Sequence, residues 1–361
     1  MPEEISSMER YSWYTESLFC PRRLWMLRTS TRGAFITASA ATLASIAIVR
    51  SPARAAQWSY KAGTNQSVDH PLSVAMKTLW DQVRSETNGR LDVQTFPNNQ
   101  LGGDTAMLQQ MRAGALQFMT LDGAILAGVV PVAAIQGVGF AFKDSAQAFS
   151  AFDGKLGAYI RNDIASKGLF AFDLIWENGM RNITSSTKPI KVAADLSGFK
   201  IRTPEGRLYL DLFKSLGAAP TPINFSELYP ALQTHVVDGQ ENPLLNIEFG
   251  RFYEVQKYLS MSAHMWSGYW LMANGDVWKG LPPDVQAIVA KNARVTAQKQ
   301  RAAVIANNNS LAGKLKSQGM LINEVDRDGL RAKLGAFYGR WKNEFGDQAW
   351  GLLEEYSGKL G

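Results

Sequence analysis

Two arginines and one polar corner hold the residues best suited to chemistry in this chain. Arg181 lies in "WENGMRNITSS" and Arg202 in "GFKIRTPEG", each on or at the end of a short β-type run. A guanidinium offers a planar fork of donors whose charge persists at any working pH, so two of them facing one space would clamp a carboxylate. The same placement also suits solvated surface charges, and strand alternation sets Arg202 opposite the Phe199 and Ile201 face. The corner is "HVVDGQENPLLN", His235 to Asn246. Asp238-Gly239 signals a turn, and Asn242-Pro243 signals a helix entry with Asn242 as N-cap. One cap would be enough, so Gln240, Glu241 and Asp238 need a second purpose.

The elements that must position these residues alternate. "WSYKAGTN" and "RLDVQTFP" predict strands around the amphipathic helix "HPLSVAMKTLWDQVRSETNG". A loop and helix follow in "NNQLGGDTAMLQQMRAGAL", then a strand and turn in "QFMTLDGA". "SAQAFSAFDGKLGAYIRNDIASKG" predicts one helix leading into the strand "LFAFDLIW". A second round begins near Asn178, with strands in "RNITSS" and "FKIRTP", a helix in "EGRLYLDLFKSLG", an extended "AAPTPIN", and "SELYPALQT" as a helix capped by Ser226. The remainder is expected to be mostly helical, with an unbroken run from Pro282 to Gly319 long enough to brace two lobes. The pattern predicts an α/β fold with a largely parallel sheet, whose ligands sit beyond the carboxyl ends of its strands.

Length and composition agree with a globular chain of two domains: 361 residues, 46% hydrophobic and 11% aromatic. The formal charge of +6 depends on the first segment. Residues 1–55 carry seven arginines and four glutamates, which leaves 31 basic and 28 acidic residues, about +3, in the rest. No basic block remains there, so nucleic acid is not an expected partner. Within the first segment, "GAFITASAATLASIAIV" follows Arg28 and Arg32 and precedes "SPARAAQW". This predicts a secretory signal peptide cut after Ala55 rather than a membrane anchor. The 25 residues before Met26 fit no signal peptide, and Arg22-Arg23 leaves Sec and twin-arginine export both open. The only cysteine, Cys20, falls in the removed part, so the mature chain has neither disulfide nor thiol nucleophile and suits the bacterial periplasm.

Catalytic signatures are missing: the chain has no HExxH, GxSxG, Walker A, GxGxxG or CxxC motif. His70, His235 and His264 are scattered and read as structural or surface residues. The "LGGD" loop, 101–104, reads as a tight turn or as backbone donors for an anion. No metal site or cofactor is called for.

The run "GFKIRTPEGRLYLDLFKSLGAAPTPINFSELYPALQTHVVDGQENPL" resembles the solute-binding proteins of tripartite ATP-independent periplasmic (TRAP) transporters, of the DctP and sialic-acid-binding type. "FSELYPALQ" with "VDGQENP" is specific to that family, and "GTNQSVDHP", "NGMRNITSSTKPI" and "FYEVQKYLSMSAH" extend the likeness over nearly the whole mature chain. The resemblance implies a periplasmic-binding-protein-like clamshell of two α/β lobes with hinge strands and a long helix spanning both. The first lobe would take residues 56–178 and 268–307, the second 179–267 and 308–361. It also implies a non-enzymatic monomer that captures an organic acid and passes it to the permease's membrane subunits. A periplasmic enzyme or a ligand-presenting sensor subunit are the alternatives.

Position by position, the resemblance makes Arg202 the partner of the ligand carboxylate and Arg181 its supporting arginine. Asn242 would contact the same carboxylate, Phe225 would form a pocket wall, and Asn65 and Asp104 would face the ligand from the first lobe. Asp122 and Ile125 stand where sialic-acid binders carry Glu and Arg, and Glu205 stands where they carry Asn, so sialic acid is not the expected ligand. Trp176, Trp266, Tyr269 and Trp270 could stack on a ring or pack the core. A hydroxy or keto acid, an aromatic acid and a sugar acid stay open.

Overall fold

The computed structural model describes residues 56–361, so the signal peptide, its cleavage site and the Met26 start lie outside the described residues. Strand β1 (Trp58–Gly63) pairs in parallel with β2 (Leu91–Phe96), Trp58 facing Leu91 and Gly63 facing Phe96. Between them runs the helix Pro71–Glu86, which buries Leu72, Met76, Leu79, Trp80 and Val83 at helical spacing. Pro71 takes the first helical position, and the His70 side chain accepts the Leu72 N–H. β3 (Phe118–Asp122) joins β1 on its other side.

All strands of the described residues belong to one sheet. β4 (Leu169–Ala171), β5 (Trp176–Ser185), β6 (Lys200–Thr203), β7 (Ala219–Pro222), β8 (Gly239–Pro243), β9 (Tyr258–Asn274) and β10 (Leu321–Glu324) complete it. The order is β2-β1-β3-β9-β5-β8-β6-β7, with β4 and β10 also on β9. The expectation of a largely parallel sheet needs correction. Its wings are parallel, β2-β1-β3 and β8-β6-β7, but β9 runs antiparallel to β3, β4 and β5, and β5 antiparallel to β8. The reason is topological: β5 carries the chain from one wing to the other and the 17-residue β9 brings it back.

The helix Pro283–Ser317, 35 residues, is the expected brace. Val285, Val289, Ala293 and Ala297 pack on the first wing with Leu72, Met76 and Trp80. Farther along, Val304, Leu311 and Leu315 pack with Leu228, Leu232 and Ile247. One helix thus joins two separate apolar clusters, while a third and larger cluster reaches from Met119 to the C-terminal helix Gly335–Ser357. No helix of the described residues is long and apolar enough to cross a membrane.

Four local expectations are corrected. The helix predicted from Ser145 to Gly168 breaks at Gly154 into Ser145–Asp153 and Lys155–Ser166, where the backbone leaves the helical region at φ −95° and ψ −148° and an added side chain would meet the Tyr356 hydroxyl. Leu169 to Trp176 is not one strand, since β4 ends at Ala171 and β5 starts at Trp176. Asn224, not Ser226, caps the helix Phe225–Gln233, accepting the Ser226 N–H at 3.2 Å. "GQENP" is not a corner: it is β8, a fully buried strand between β5 and β6, and Asn242 is its fourth residue rather than a helix cap.

Candidate functional site

Strand register brings the two arginines to one place. Arg181 on β5 faces Pro243, Asn182 faces Asn242, and Arg202 on β6 faces Gln240 of the same β8. A central strand with two polar neighbours can be polar only if each group finds a partner. Most do. Gln240 donates to Thr184 Oγ1 at 2.9 Å and accepts from Asn242 Nδ2 at 2.5 Å.

Glu241 and Arg181 form the hub of this seam. Arg181 Nε donates to Glu241 Oε2 at 2.5 Å and Nη2 to Oε1 at 2.7 Å, a two-pronged pair with side chains only 3% and 0% exposed. Nη2 also donates to the Glu241 carbonyl at 2.8 Å and to Asn242 Oδ1 at 3.2 Å. The guanidinium lies 5.0 Å from the centre of the Tyr209 ring. Burial opposes its charge, but Glu241, Tyr209 and Asp122 outweigh that and hold its pKa above the ordinary arginine range. Burial likewise opposes ionised Glu241, yet Arg181 and His264 keep its pKa below the usual carboxylate value. Burial lowers the pKa of His264. The neutral ring then donates from Nε2 to Glu241 Oε2 at 3.2 Å and accepts at Nδ1 from Ser262 Oγ at 2.8 Å. Nε and Nη2 of Arg181 are therefore committed to Glu241 and Asn242.

Arg202 is as deeply buried but differs in its partners. It is 2% exposed, its Nε donates to the Ile223 carbonyl at 2.8 Å, and Nη1 has no hydrogen-bond partner. Among the described residues no carboxylate lies within ion-pair distance of it, although Arg181, Arg301 and Arg340 all have one. Burial pushes its pKa down to about 10, an effect only partly offset by Glu241 and Asp104. A positive charge has been taken out of water and given no fixed counter-ion.

Across from it, the loop after β1 and the helix Asp104–Arg112 supply polar groups. Asn65 Nδ2 donates to Asp104 Oδ2 at 2.9 Å, and the Tyr269 hydroxyl donates to Asn65 Oδ1 at 3.3 Å. Asp104 Oδ1 is buried without a partner, and burial raises that carboxyl to about 7, opposed by Asn65 and Arg202. Asp122 is saturated instead. Its oxygens accept from Ala124 N at 2.8 Å, Tyr209 Oη at 3.1 Å, Gln136 Nε2 at 2.9 Å and Ser267 Oγ at 2.7 Å.

The remaining expected residues lie on the margins. Trp176 is fully buried in the first-wing core, its Nε1 lacking a partner. Phe225 is half-buried and meets Phe252 edge-on at 5.9 Å. Trp266 stacks on Phe152 at 5.2 Å, and Trp270 meets the same ring edge-on, so both serve packing. Ile125 is buried among apolar residues. Glu205 closes the mouth: it accepts from Thr105 Oγ1 and Asn224 Nδ2, both at 3.1 Å, while Asn99 Nδ2 donates to Asn224 Oδ1 at 3.3 Å. Sequence reading missed Glu241 as the counter-ion, and Tyr209 and His264 around it. No local signal marked Glu241, whose neighbours Gln240 and Asn242 are both polar.

A model of the bacterial extracellular solute-binding protein family 7 (DctP) matches residues 62–344. The chain belongs to this family. The 2,3-diketo-L-gulonate-binding periplasmic protein YiaO of Escherichia coli is 33% identical over 81% of this chain and 89% of its own length. A TRAP periplasmic solute-binding protein of Polaromonas bound to D-erythronate superposes with a TM-score of 0.80 at 31% identity, covering 84% of this chain and all of that one. An uncharacterized protein of Sinorhizobium fredii is 35% identical over 83% of this chain, which spans only 55% of its length. The chain is thus a TRAP-type solute-binding protein with the two-lobed fold of that family.

Proposed function

We propose that this protein captures a hydroxylated organic acid between its lobes and delivers it to a TRAP permease. The observation that carries the reading is Arg202, a buried guanidinium with an unpartnered Nη1 and no carboxylate beside it. A ligand carboxylate would supply the missing counter-ion in a water-poor space where charge-assisted hydrogen bonds are strongest. Arg181 would act through position: its pair with Glu241 holds Asn242 Oδ1 and so fixes the Asn242 amide beside Arg202's strand. Asp104 Oδ1, an acceptor without a donor, favours a hydroxyl on the ligand over a purely aromatic or aliphatic acid. The diketogulonate and erythronate of the two relatives are acids of that kind.

An enzyme would need a poised base near Arg202; His264 is held between Glu241 and Ser262, and recovery of the ligand unchanged tests the other candidate, Asp104. Periplasmic export with cleavage after Ala55, a monomeric state, and lobes at 56–178 with 268–307 and 179–267 with 308–361 complete the proposal. The brace helix supports a division into two lobes, because its residues up to Ala297 and those from Val304 onward pack in different clusters.

The test is a thermal-shift screen of the protein against aldonates, ketoaldonates, uronates, aromatic acids and dicarboxylates, with recovery of each hit for mass spectrometry. A hydroxy acid at about 1,000 times its Kd should stabilise by roughly 4 kcal/mol and come back unchanged. Lactones or amides of the same acids should give almost no shift. A shift from the neutral analogues equal to that from the acids, or recovery of a converted product, would overturn the proposal.

A further inference from the structure

A second cationic site lies beside the bend of β9, apart from the arginine cleft. A cavity of about 450 Å³ is lined by Phe140, Lys143, Arg327, Asp328, Arg331 and Ser357, among others, and shares no residue with the cleft. It abuts the bend through two hydrogen bonds: Phe140 N–H to the His264 carbonyl at 2.8 Å, and Arg327 Nη2 to the Ala263 carbonyl at 3.2 Å. Three cations therefore face one carboxylate, Asp328. Among the described residues none of the three has a carboxylate within ion-pair distance. A neighbouring groove of similar size, lined by Arg207, Asp211, Arg340 and Glu344, shows the opposite arrangement. There Arg207 pairs with Glu344 at 2.8 Å and Arg340 with Asp211 at 3.1 Å, so two of its three cations are already answered and only Lys214 is left.

Arg327 gives the cavity its direction. Its Nη2 is fixed on a backbone carbonyl, while its Nε is buried without any partner. A guanidinium held at one corner with a donor to spare, Arg331 one turn along the same helix and Lys143 on another segment together match an acceptor with several oxygens and more than one negative charge. We propose that this cavity binds a small multivalent oxyanion of the phosphate class. Its concave shape and lining from separate chain segments suit a free anion better than a flat lipid surface.

Calorimetric titration with sodium phosphate, against sodium chloride of equal ionic strength, tests the site. Saturable single-site binding is expected with phosphate and not with chloride. Lys143→Ala combined with Arg331→Ala, both exposed although Arg331 also donates to the Lys359 carbonyl at 3.2 Å, should weaken it at least about tenfold. Arg327→Ala should abolish it. Should that variant fold poorly, the exposed pair still decides. Arg202→Ala should leave phosphate binding unchanged, and the exposed pair should leave binding of the cleft's carboxylate unchanged. Heats equal to those of chloride, binding indifferent to the Lys143/Arg331 pair, or loss of phosphate binding in Arg202→Ala would each overturn the proposal. The probes differ, so failure here and failure of the carboxylate reading are separately visible.

Discussion

The two arginines of the cleft are equally buried and lie on strands separated by one neighbour, yet their surroundings are opposite. Arg181 spends Nε and Nη2 on Glu241 and Asn242, whereas Arg202 spends Nε on a backbone carbonyl and has no carboxylate beside it among the described residues. The first arrangement resembles a structural core, in which every buried charge is answered within the chain. The second leaves folding with an uncompensated cost that the proposed carboxylate would remove on binding. Residue type and burial alone would have ranked the two alike; the partner list separates scaffold from site.

The largest expected effect follows from breaking the saturated side. Arg181→Ala strands Glu241 among His264, Asn242 and the sheet, and removal of one member of a buried pair typically costs ~3–5 kcal/mol. Urea denaturation should show that loss in the protein without ligand. Arg181→Lys should recover little of it, because one ammonium cannot reproduce both prongs. A loss below about 1 kcal/mol would mean that the pair is not the hub of the seam.

Arg202→Ala should separate affinity from stability. Affinity for the carboxylate should fall by ~2–5 kcal/mol, and Arg202→Lys should still lose at least about 1.4 kcal/mol, a tenfold change. Stability without ligand should hold or rise, since burial already pushes the charged form of Arg202 toward losing its proton at about 10. Wild-type affinity in Arg202→Ala would sink the contrast between the two arginines.

How much of this was legible before folding depends on what each residue faces. The helix Pro71–Glu86 announced itself because one face is apolar at helical spacing and the other is wet. β8 concealed itself for the reverse reason: Gln240, Glu241 and Asn242 are polar yet fully buried, so hydropathy placed them at the surface. β9 is buried on both faces over most of its length, which erases the alternation that marks a strand. The importance of Arg202 came from family resemblance. Its unpartnered state, and the pairing of Arg181 with Glu241, depend on the register of β5, β8 and β6, and short-range patterns do not encode register.

The contrast can be sharpened with pH, because Asp104 and Glu177, like Asp122, are buried carboxyls that lack a cationic partner within ion-pair distance among the described residues. Burial raises Asp104 to about 7 and Glu177 to about 7, with Glu177 held by Ser145 Oγ at 2.7 Å and Trp266 Nε1 at 3.2 Å. For a raised acid the folded state keeps its proton while the unfolded state has lost it. Stability is then full below the unfolded value near 4.5 and declines as pH rises toward about 7. Each group contributes at most ~1.4 kcal/mol per pH unit inside that window. Glu177→Gln should flatten part of the fall without touching the arginine site, and Asp104→Asn should flatten another part. A variant whose stability still falls as steeply as wild type over the window would show that its carboxyl is not the titrating group.

The smallest effect is expected at the mouth. Asn224 caps the helix Phe225–Gln233 and also reaches Asn99 and Glu205, and its amide fills the space where a side chain on Gly103 would lie. Loss of such a cap costs ~1 kcal/mol, and exposed hydrogen bonds add little because water replaces them. Asn224→Ala should therefore lower stability by about that amount and leave the Arg202 pairing untouched. Its second consequence lies in exchange: with Asn99 and Glu205 both losing a partner across the opening, ligand dissociation should quicken more than association changes. Stopped-flow release of the best carboxylate would read this directly. Equal changes in both rates would mean that Asn224 serves only its helix, and the closed mouth is held by Thr105 and Glu205 alone.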